Sequence, residues 1–371
     1  MWPLKTRFLL SKLGVHLPII QAPMGGATTP ALVASVANAG GLGSLAAGYL
    51  SPEEIREVVR ETRALTKHPF NVNLFVPNVV DLSPEKINKS NLILNAYRTV
   101  LGIPSVEPTK SAVISFESFD DQLQVLLEEK VPIVSFTFGI PSTDSIKKLK
   151  EGGAIVIGTA TTVKEGLMLE ANQCDVIVAQ GSEAGGHRGT FNGPLRTSLI
   201  GTMALVPQMV DRIKIPVIAA GGIMDGRGLA ASLNLGASAV QMGTAFLTCT
   251  ESSISKGYQE AILSSTEESA VLTSAFTGKF ARAIENRFVK EMKEHEGSLP
   301  DYPIQHKLTL GIRQAAAKQH RPELMFLLAG QGTRLNTKKS AGDLVTSIAE
   351  EALKILSASV ALEKNTTTSR P

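Results

Sequence analysis

Cysteine, tryptophan and long apolar runs are scarce in this 371-residue chain. Its two cysteines, Cys174 and Cys249, lie outside any Cys-x-x-Cys or other metal-binding spacing. This argues against a disulfide scaffold and a zinc site, and it agrees with a reducing compartment such as the cytoplasm. No apolar run approaches the ~20 residues that a membrane-spanning helix needs, so we expect no membrane partner. The formal net charge is only +3 and no block of Lys or Arg stands out, which leaves nucleic-acid binding without support.

Short apolar runs alternate with helical segments over the first 250 residues. Hydrophobic residues make up 43% of the chain, enough to bury a substantial core. This alternation predicts an α/β fold, a (β/α)8 TIM barrel. The eight strands are predicted within residues 17–21, 41–44, 70–75, 133–136, 154–159, 175–179, 217–223 and 237–244.

Two further regions are predicted to decorate the barrel. Residues 77–114 are polar and weakly patterned, with the best helical piece at 92–100, and we expect them to form an insertion after the third strand. We divide the chain into a barrel, residues 1–250, and a helical extension or lid, residues 251–371. Helices of the extension are predicted at residues 253–263, 307–318, 322–328 and 341–362, followed by a frayed tail from 365. The oligomeric state is not readable from the sequence, and a homo-oligomer stays open.

A glycine-rich segment, residues 180–189, follows the sixth predicted strand and contains His187. Glycine lets the backbone approach a ligand closely, and α/β barrels carry their chemistry at the carboxyl ends of the strands. The plainer interpretation is a tight turn with an incidental surface histidine. The neighbouring Arg188 is expected to point to solvent. The other five histidines, His16, His68, His295, His306 and His320, are expected in helices, turns or the periphery.

Two more glycine-rich strand ends follow, at Gly221 and Gly222 and at Gly243 and Thr244. The loops after the seventh and eighth strands of such barrels commonly bind phosphate through backbone N–H groups. Neither segment is a P-loop, because no Gly-Lys-Ser/Thr follows. Residues 41–44 resemble a dinucleotide-binding turn, but they precede or form a strand, so we reject that alternative. Two adjacent glycine-rich strand ends favour a phosphate-bearing cofactor over simple turns.

The chain resembles the nitronate monooxygenase family, the FMN enzymes formerly called 2-nitropropane dioxygenases, of the class I type. The matching segments are residues 21–26, 71–75, 134–141, 180–189, 219–223, 241–244 and 328–331. They occur in the right order over almost the whole chain. FMN-dependent enoyl-acyl-carrier-protein reductases share a similar Glu-Ala-Gly-Gly-His segment, here residues 183–187.

The resemblance implies an FMN site and one catalytic residue, His187. The implied cofactor-binding residues are Ala22, Pro23, Met24, Asn73, Gln180, Gly185, Gly186, Gly221, Gly222, Gln241, Met242, Gly243 and Thr244. Asn71 would share the strand face of Asn73, so the choice of Asn73 as the FMN-binding residue rests on the motif alignment. Phe75 and Phe138 are expected to form an apolar wall over the flavin, and Tyr302 to supply a lid hydroxyl.

The implied reaction is oxidation of an alkyl nitronate, with propionate 3-nitronate as the expected substrate, by O2 to a carbonyl compound and nitrite. His187 would take a proton from the carbon beside a nitro group or orient an anionic nitronate. Two alternatives stay open: an FMN- and NAD(P)H-dependent enoyl-acyl-carrier-protein reductase, and a non-catalytic flavin-binding protein. No metal is expected.

Overall fold

Eight parallel strands form the centre of the protein, as a computed structural model of the chain shows. The structure describes residues 1–78, 82–107 and 117–367, with side chains described to residue 358. The strands, in chain order, are β1 (Ile19–Gln21), β2 (Ser44–Ala46), β3 (Asn71–Phe75), β4 (Ile133–Thr137), β5 (Ile155–Ala160), β6 (Val176–Gln180), β7 (Gly186–His187), β8 (Val217–Ala220), β9 (Ala239–Met242), β10 (Ala270–Thr273) and β11 (Ala281–Ile284).

The parallel strands pair in the order β1-β9-β8-β6-β5-β4-β3-β2. A parallel bridge between Ile20 and Leu42 joins β1 to the segment before β2, so the sheet nearly closes on itself. The predicted TIM-type barrel is therefore confirmed. The short strand β7 lies outside the barrel, so the seventh and eighth barrel strands are β8 and β9.

Helices surround the barrel and cover its rim. In chain order they are α1 (Leu4–Leu13), α2 (Pro30–Asn38), α3 (Pro52–Leu65), α4 (Pro84–Val100), α5 (Phe119–Glu128), α6 (Thr143–Glu151), α7 (Val163–Ala171), α8 (Thr202–Val210), α9 (Gly226–Asn234), α10 (Thr244–Leu247), α11 (Lys256–Leu263), α12 (Arg287–Met292), α13 (Ile304–Lys318) and α14 (Ala341–Thr367). Over the ranges that the structure describes, none of them is long and apolar enough to cross a membrane.

Three apolar clusters hold these layers together. Leu9 and Leu13 of α1 pack with barrel-lining residues such as Ile157 and Val178, so α1 covers one end of the barrel. A second cluster joins the outer faces of the strands to the surrounding helices, including Leu344 of α14. A third cluster lies among the segments of the helical extension and α4. Complete burial of a large aliphatic side chain stabilises a fold by about 1.5–3 kcal/mol.

The insertion helix α4 is longer than the segment predicted at 92–100, because Ser83 caps a start at Pro84. It packs against α13, so this part of the insertion lies beside the C-terminal region. Residues 79–81 and 108–114 of the predicted insertion lie outside the described residues. The division at residue 250 remains a proposal. The long helix α14 packs on α9 and α2 at the flank of the barrel.

Several local predictions need correction. The second strand was predicted at 41–44 but lies at Ser44–Ala46. The segment before it packs closely on α2, where a Cβ at Gly43 would clash with the Val33 carbonyl oxygen. The helix predicted at 322–328 is only a 3-10 turn, Pro322–Leu324. Helix α14 continues to Thr367, past the start of the predicted frayed tail at 365.

The region after residue 250 was predicted as helical, yet two of its segments, β10 and β11, join β7 in an antiparallel sheet. Its strands are ordered β10-β11-β7, with β11 in the middle. The central strand, Ala281–Ile284, has the run Ala-Arg-Ala-Ile, and all four of its residues are buried. Its Arg282 breaks the apolar pattern that signals a buried strand, and this explains why the sequence did not indicate one.

Candidate active site

A cavity opens at the carboxyl ends of the barrel strands. Its volume is about 530 Å³. The ends of β3, β4, β5, β6, β8 and β9 all contribute lining residues, and helices α11 and α13 contribute from above. This is the place where barrel enzymes carry their sites. Of the predicted site residues the cavity is lined by Ala22, Pro23, Met24, Asn73, Phe75, Phe138, Gln180, Gly185, Gly186, His187, Gly221, Gly222, Gln241, Met242, Gly243 and Thr244.

The loop that carries His187 is held from both sides. On one side, β7 pairs with β11 so that His187 lies opposite Ala281. On the other, the Gln180 side chain donates to the His187 carbonyl oxygen at 3.0 Å and accepts from the Gly189 N–H at 2.8 Å. The Gln180 amide thus closes the loop and also borders the cavity.

Two buried arginines hold the base of this loop. Arg188 is only 1% exposed and donates to the carbonyl oxygens of Gln180, Gly181 and Ser198 at 2.6 to 3.0 Å. The expectation that Arg188 points to solvent is therefore wrong. Arg282 donates to the Ser182 carbonyl at 2.8 and 3.0 Å. Buried carbonyl oxygens that have no partner in a strand need a hydrogen-bond donor from elsewhere. This explains why two arginines are buried beneath the loop.

Gly185 lies against the segment that follows β11 and α13 in the chain. A Cβ at this position would lie 2.5 Å from the Gly330 nitrogen, so only glycine permits this approach. Gly330 in turn donates its N–H to Thr244 Oγ1 at 2.9 Å. Residues 328–331, which match the family motif, thus contact both the His187 loop and the end of β9.

The glycine-rich strand ends offer free donors to the cavity. Gly221 and Gly222 have φ values of 115° and 71°, which only glycine adopts readily. In the part of the chain that the structure describes, the backbone N–H groups of Gly221, Gly222 and Gly243 donate no hydrogen bond. Unpaired amides of this kind suit a phosphate. The residues present therefore fit a phosphate-bearing cofactor such as FMN.

Asn73 and Asn71 differ in their access to the cavity. Asn73 lines it and donates to Ser135 and to Thr137 Oγ1 at 3.0 to 3.2 Å. Asn71, which is buried on the same strand face, donates to Ser135 Oγ at 2.9 Å and does not border the cavity among the residues described. The geometry favours Asn73, as the motif alignment did.

His187 lines the cavity in an electropositive environment. Its Nε2 is 2.8 Å from Thr277 Oγ1. Burial, followed by the nearby cations Lys279 and Arg313, lowers the pKa of His187 from 6.5 to about 3. The imidazole is therefore neutral at physiological pH and able to accept a proton or a hydrogen bond.

Aromatic rings surround the imidazole. Phe138 and Tyr302 contact it edge-on or tilted at centroid distances of 5.7 and 5.8 Å, and Phe75 stacks obliquely on Phe138 at 4.7 Å. Phe326, which the sequence did not single out, lies 6.1 Å from the imidazole. Tyr302 thus contributes its ring to the wall around His187. Its assignment as a lid hydroxyl stays a prediction.

His306 lies in a helix, as expected, but this helix, α13, places it at the cavity. His306 lines the cavity and stacks on Tyr49 at 4.3 Å, and Arg313 lines it two helical turns further along the same face. Burial, then Arg313, lowers the pKa of His306 to about 2. The only sequence signal was the spacing of seven residues between His306 and Arg313, which places both on one face of a helix.

The fold and the position of the cavity define the class of the protein: a (β/α)8-barrel enzyme whose small-molecule site lies at the carboxyl ends of the strands. Residues 6–351 match the family described as nitronate monooxygenase. The chain belongs to this family of flavin-dependent oxidoreductases, and nitronate oxidation is the general activity that membership supports.

Individual relatives agree with this assignment. The chain is 48% identical over 348 residues to a probable nitronate monooxygenase of Staphylococcus saprophyticus, covering 93% of this chain and 97% of the relative. Among solved structures it is similar to the nitroalkane oxidase of Streptomyces ansochromogenes, with TM-score 0.86, 39% identity and coverage of 94% and 99%. FabK from Thermotoga maritima is more distant, with TM-score 0.74, 30% identity and coverage of 96% and 98%.

Proposed function

We propose that this enzyme oxidises alkyl nitronates, propionate 3-nitronate among them, with FMN and O2, giving a carbonyl compound and nitrite. The observation that carries the proposal is the neutral His187 beside a cavity whose other wall presents unpaired glycine amides. The cations Lys279 and Arg313 near His187 give this side of the cavity a positive potential, which favours an anionic nitronate. When bound, FMN supplies the redox chemistry: it would accept electrons from the nitronate and pass them to O2.

The residues proposed to hold FMN divide into two groups. The N–H groups of Gly221, Gly222 and Gly243 would bind the phosphate, together with the Thr244 hydroxyl, which accepts from Gly330 and keeps its own proton to donate. The strand ends at residues 22–24, 73, 180, 185–186 and 241–242 border the cavity and would contact the ring system.

Thr277 is proposed to set the tautomer of His187. The Thr277 hydroxyl lies 3.0 Å from the Lys279 carbonyl oxygen, which can accept its proton. A lone pair of Thr277 Oγ1 then accepts from His187 Nε2–H, and His187 Nδ1 is left unprotonated. Nδ1 would accept a proton from a neutral nitroalkane. Phe75 and Phe138 would exclude water around this nitrogen.

The decisive experiment measures O2 consumption by the purified holoenzyme with propionate 3-nitronate, with and without NADPH. We expect consumption with the nitronate alone, and bleaching of the flavin by the nitronate under anaerobic conditions. Bleaching by NADPH, with no reaction with the nitronate, would instead favour an enoyl-acyl-carrier-protein reductase. Flavin released by acid and identified by chromatography should be FMN; recovery of FAD would contradict the cofactor assignment.

We propose that the enzyme is cytoplasmic. Both cysteines, Cys174 and Cys249, are free and buried, which agrees with a reducing compartment. A homo-oligomer stays open, and light scattering of the purified protein would decide it.

A further inference from the structure

A partly buried guanidinium lies in the cavity without a counter-ion. Arg313 projects from α13 and lines the cavity. Its Nη2 donates to the His306 carbonyl oxygen at 2.9 Å and lies 3.3 Å from Nδ1 of the neutral His306 ring. The guanidinium lies 6.0 Å from the centre of the Phe326 ring. These contacts fix the orientation of the guanidinium but leave its charge unbalanced.

No acidic group balances this charge within the described residues. Arg313 Nε is buried and has no hydrogen-bond partner. None of the described residues that line the cavity is Asp or Glu, and no carboxylate of the described ranges forms an ion pair with Arg313. Surface arginines such as Arg287 and Arg321 do have carboxylate partners. A buried cation is costly unless it is paired, so this arrangement calls for an anion from outside the chain.

The position of Arg313 separates it from the proposed phosphate loops. Arg313 belongs to the cluster of His306, Tyr49 and Phe326, and the Phe326 ring contacts His187. The phosphate loops have other neighbours: a Cβ at Gly222 would meet Glu183, and one at Gly243 would meet Ala22 and Met24. An anion on Arg313 would therefore lie on the His187 side of the cavity, where the substrate reacts.

We propose that Arg313 is a specificity-determining residue that binds a carboxylate carried by the substrate, while the nitronate group of the same molecule lies at His187. The inference rests on the proposed function and adds the residue that recognises the second negative charge of a substrate such as propionate 3-nitronate. A guanidinium presents paired donors that match a carboxylate, and such charge-assisted hydrogen bonds are among the stronger ones in proteins. The burial of Arg313 lowers its pKa only to about 10, so it stays charged at neutral pH.

The test compares two substrates that differ only in this group. Propionate 3-nitronate carries the carboxylate, and propyl-1-nitronate has a methyl group in its place. In Arg313→Met we expect the KM for propionate 3-nitronate to rise about 10²-fold, from the loss of charged hydrogen bonds, while propyl-1-nitronate changes less than about threefold. Arg313→Lys should restore part of the loss. Lys318→Met, an exposed position on the same helix, is the matched control and should behave as wild type.

A binding measurement gives a readout that is independent of turnover. Calorimetric titration of the holoenzyme with succinate, an unreactive dianion, should show binding to wild type and to Lys318→Met, and none to Arg313→Met. FMN content, read from flavin absorbance, should be the same in all four proteins.

Each outcome bears on one conclusion. Equal losses with both nitronates, or loss of FMN in both Arg313 variants, would overturn the inference and give Arg313 a structural or cofactor-binding role. A wild type that oxidises propyl-1-nitronate as readily as propionate 3-nitronate would also overturn it, while the proposed function stands. A wild type that oxidises neither nitronate would refute the proposed function itself.

Discussion

The low pKa of His187 predicts which form of the substrate the enzyme uses. Burial and two nearby cations take this pKa from 6.5 to about 3, which makes protonation of the imidazole roughly 5 kcal/mol less favourable. A positioned general base contributes ~10²–10⁴-fold to a rate, or roughly 3–5 kcal/mol. The two free energies are comparable, so the low basicity of His187 cancels most of the rate gain that a general base would give. We therefore expect preformed nitronates to react at least ~10²-fold faster than neutral nitroalkanes.

The substitution His187→Asn separates proton abstraction from orientation. Activity on a neutral nitroalkane, already low in the wild type, should fall to background, because abstraction of the carbon proton is then uncatalysed. Activity on the preformed nitronate should fall by less than about tenfold, since this anion has already lost the proton. Initial rates of O2 consumption, measured with freshly dissolved nitroalkane and with nitronate prepared in alkali, give both values. Flavin absorbance checks that the variant keeps its cofactor.

Three results would refute this reasoning. Equal losses with both substrate forms would leave His187 with a binding role alone, and loss of flavin would make it structural. A wild type that uses the neutral form as fast as the nitronate would contradict the weak base. The pH profile adds a further check: a group with a folded pKa of about 3 stays neutral above pH 5, so an ionisation near pH 6.5 that disappears in His187→Asn would contradict the assigned pKa.

Three further predictions concern the loops and the buried groups. Gly222→Val should weaken FMN retention, because Gly222 has φ 71° and faces Glu183; flavin content of the purified variant measures this, with the unhindered Gly297→Val as the control. Arg188→Met should lower the free energy of unfolding by roughly 3–5 kcal/mol, because three buried carbonyls lose their donor; an unchanged urea midpoint would contradict it. Stability should fall as the pH drops from 7 to 5, since His187 and His306 take up protons near 6.5 when unfolded but only near 3 and 2 when folded. Each histidine then costs roughly 2 kcal/mol at pH 5, and His306→Asn should reduce the slope.

The sequence by itself determined the barrel and the part of the site that lies on it. Apolar runs ending in glycine indicated the strands, and the carboxyl ends of parallel strands meet at one rim. The segments around Gly185, Gly222 and Gly243 therefore had to converge, and they border one cavity. The Ser51–Glu54 capping box at the start of α3 is equally local, because a few adjacent residues set its geometry.

Only the tertiary structure decided what covers the rim. Tyr49, His306, Arg313 and Phe326 reach the cavity from β2 and from the region beyond residue 300, and no local pattern tells which face of α13 meets the barrel. Arg188 looked like a surface residue because its acceptors are carbonyls of a folded loop, which have no sequence signature. Local periodicity predicts secondary structure and the ends of its elements, whereas the partner of a buried charge depends on packing between residues that are far apart in the chain.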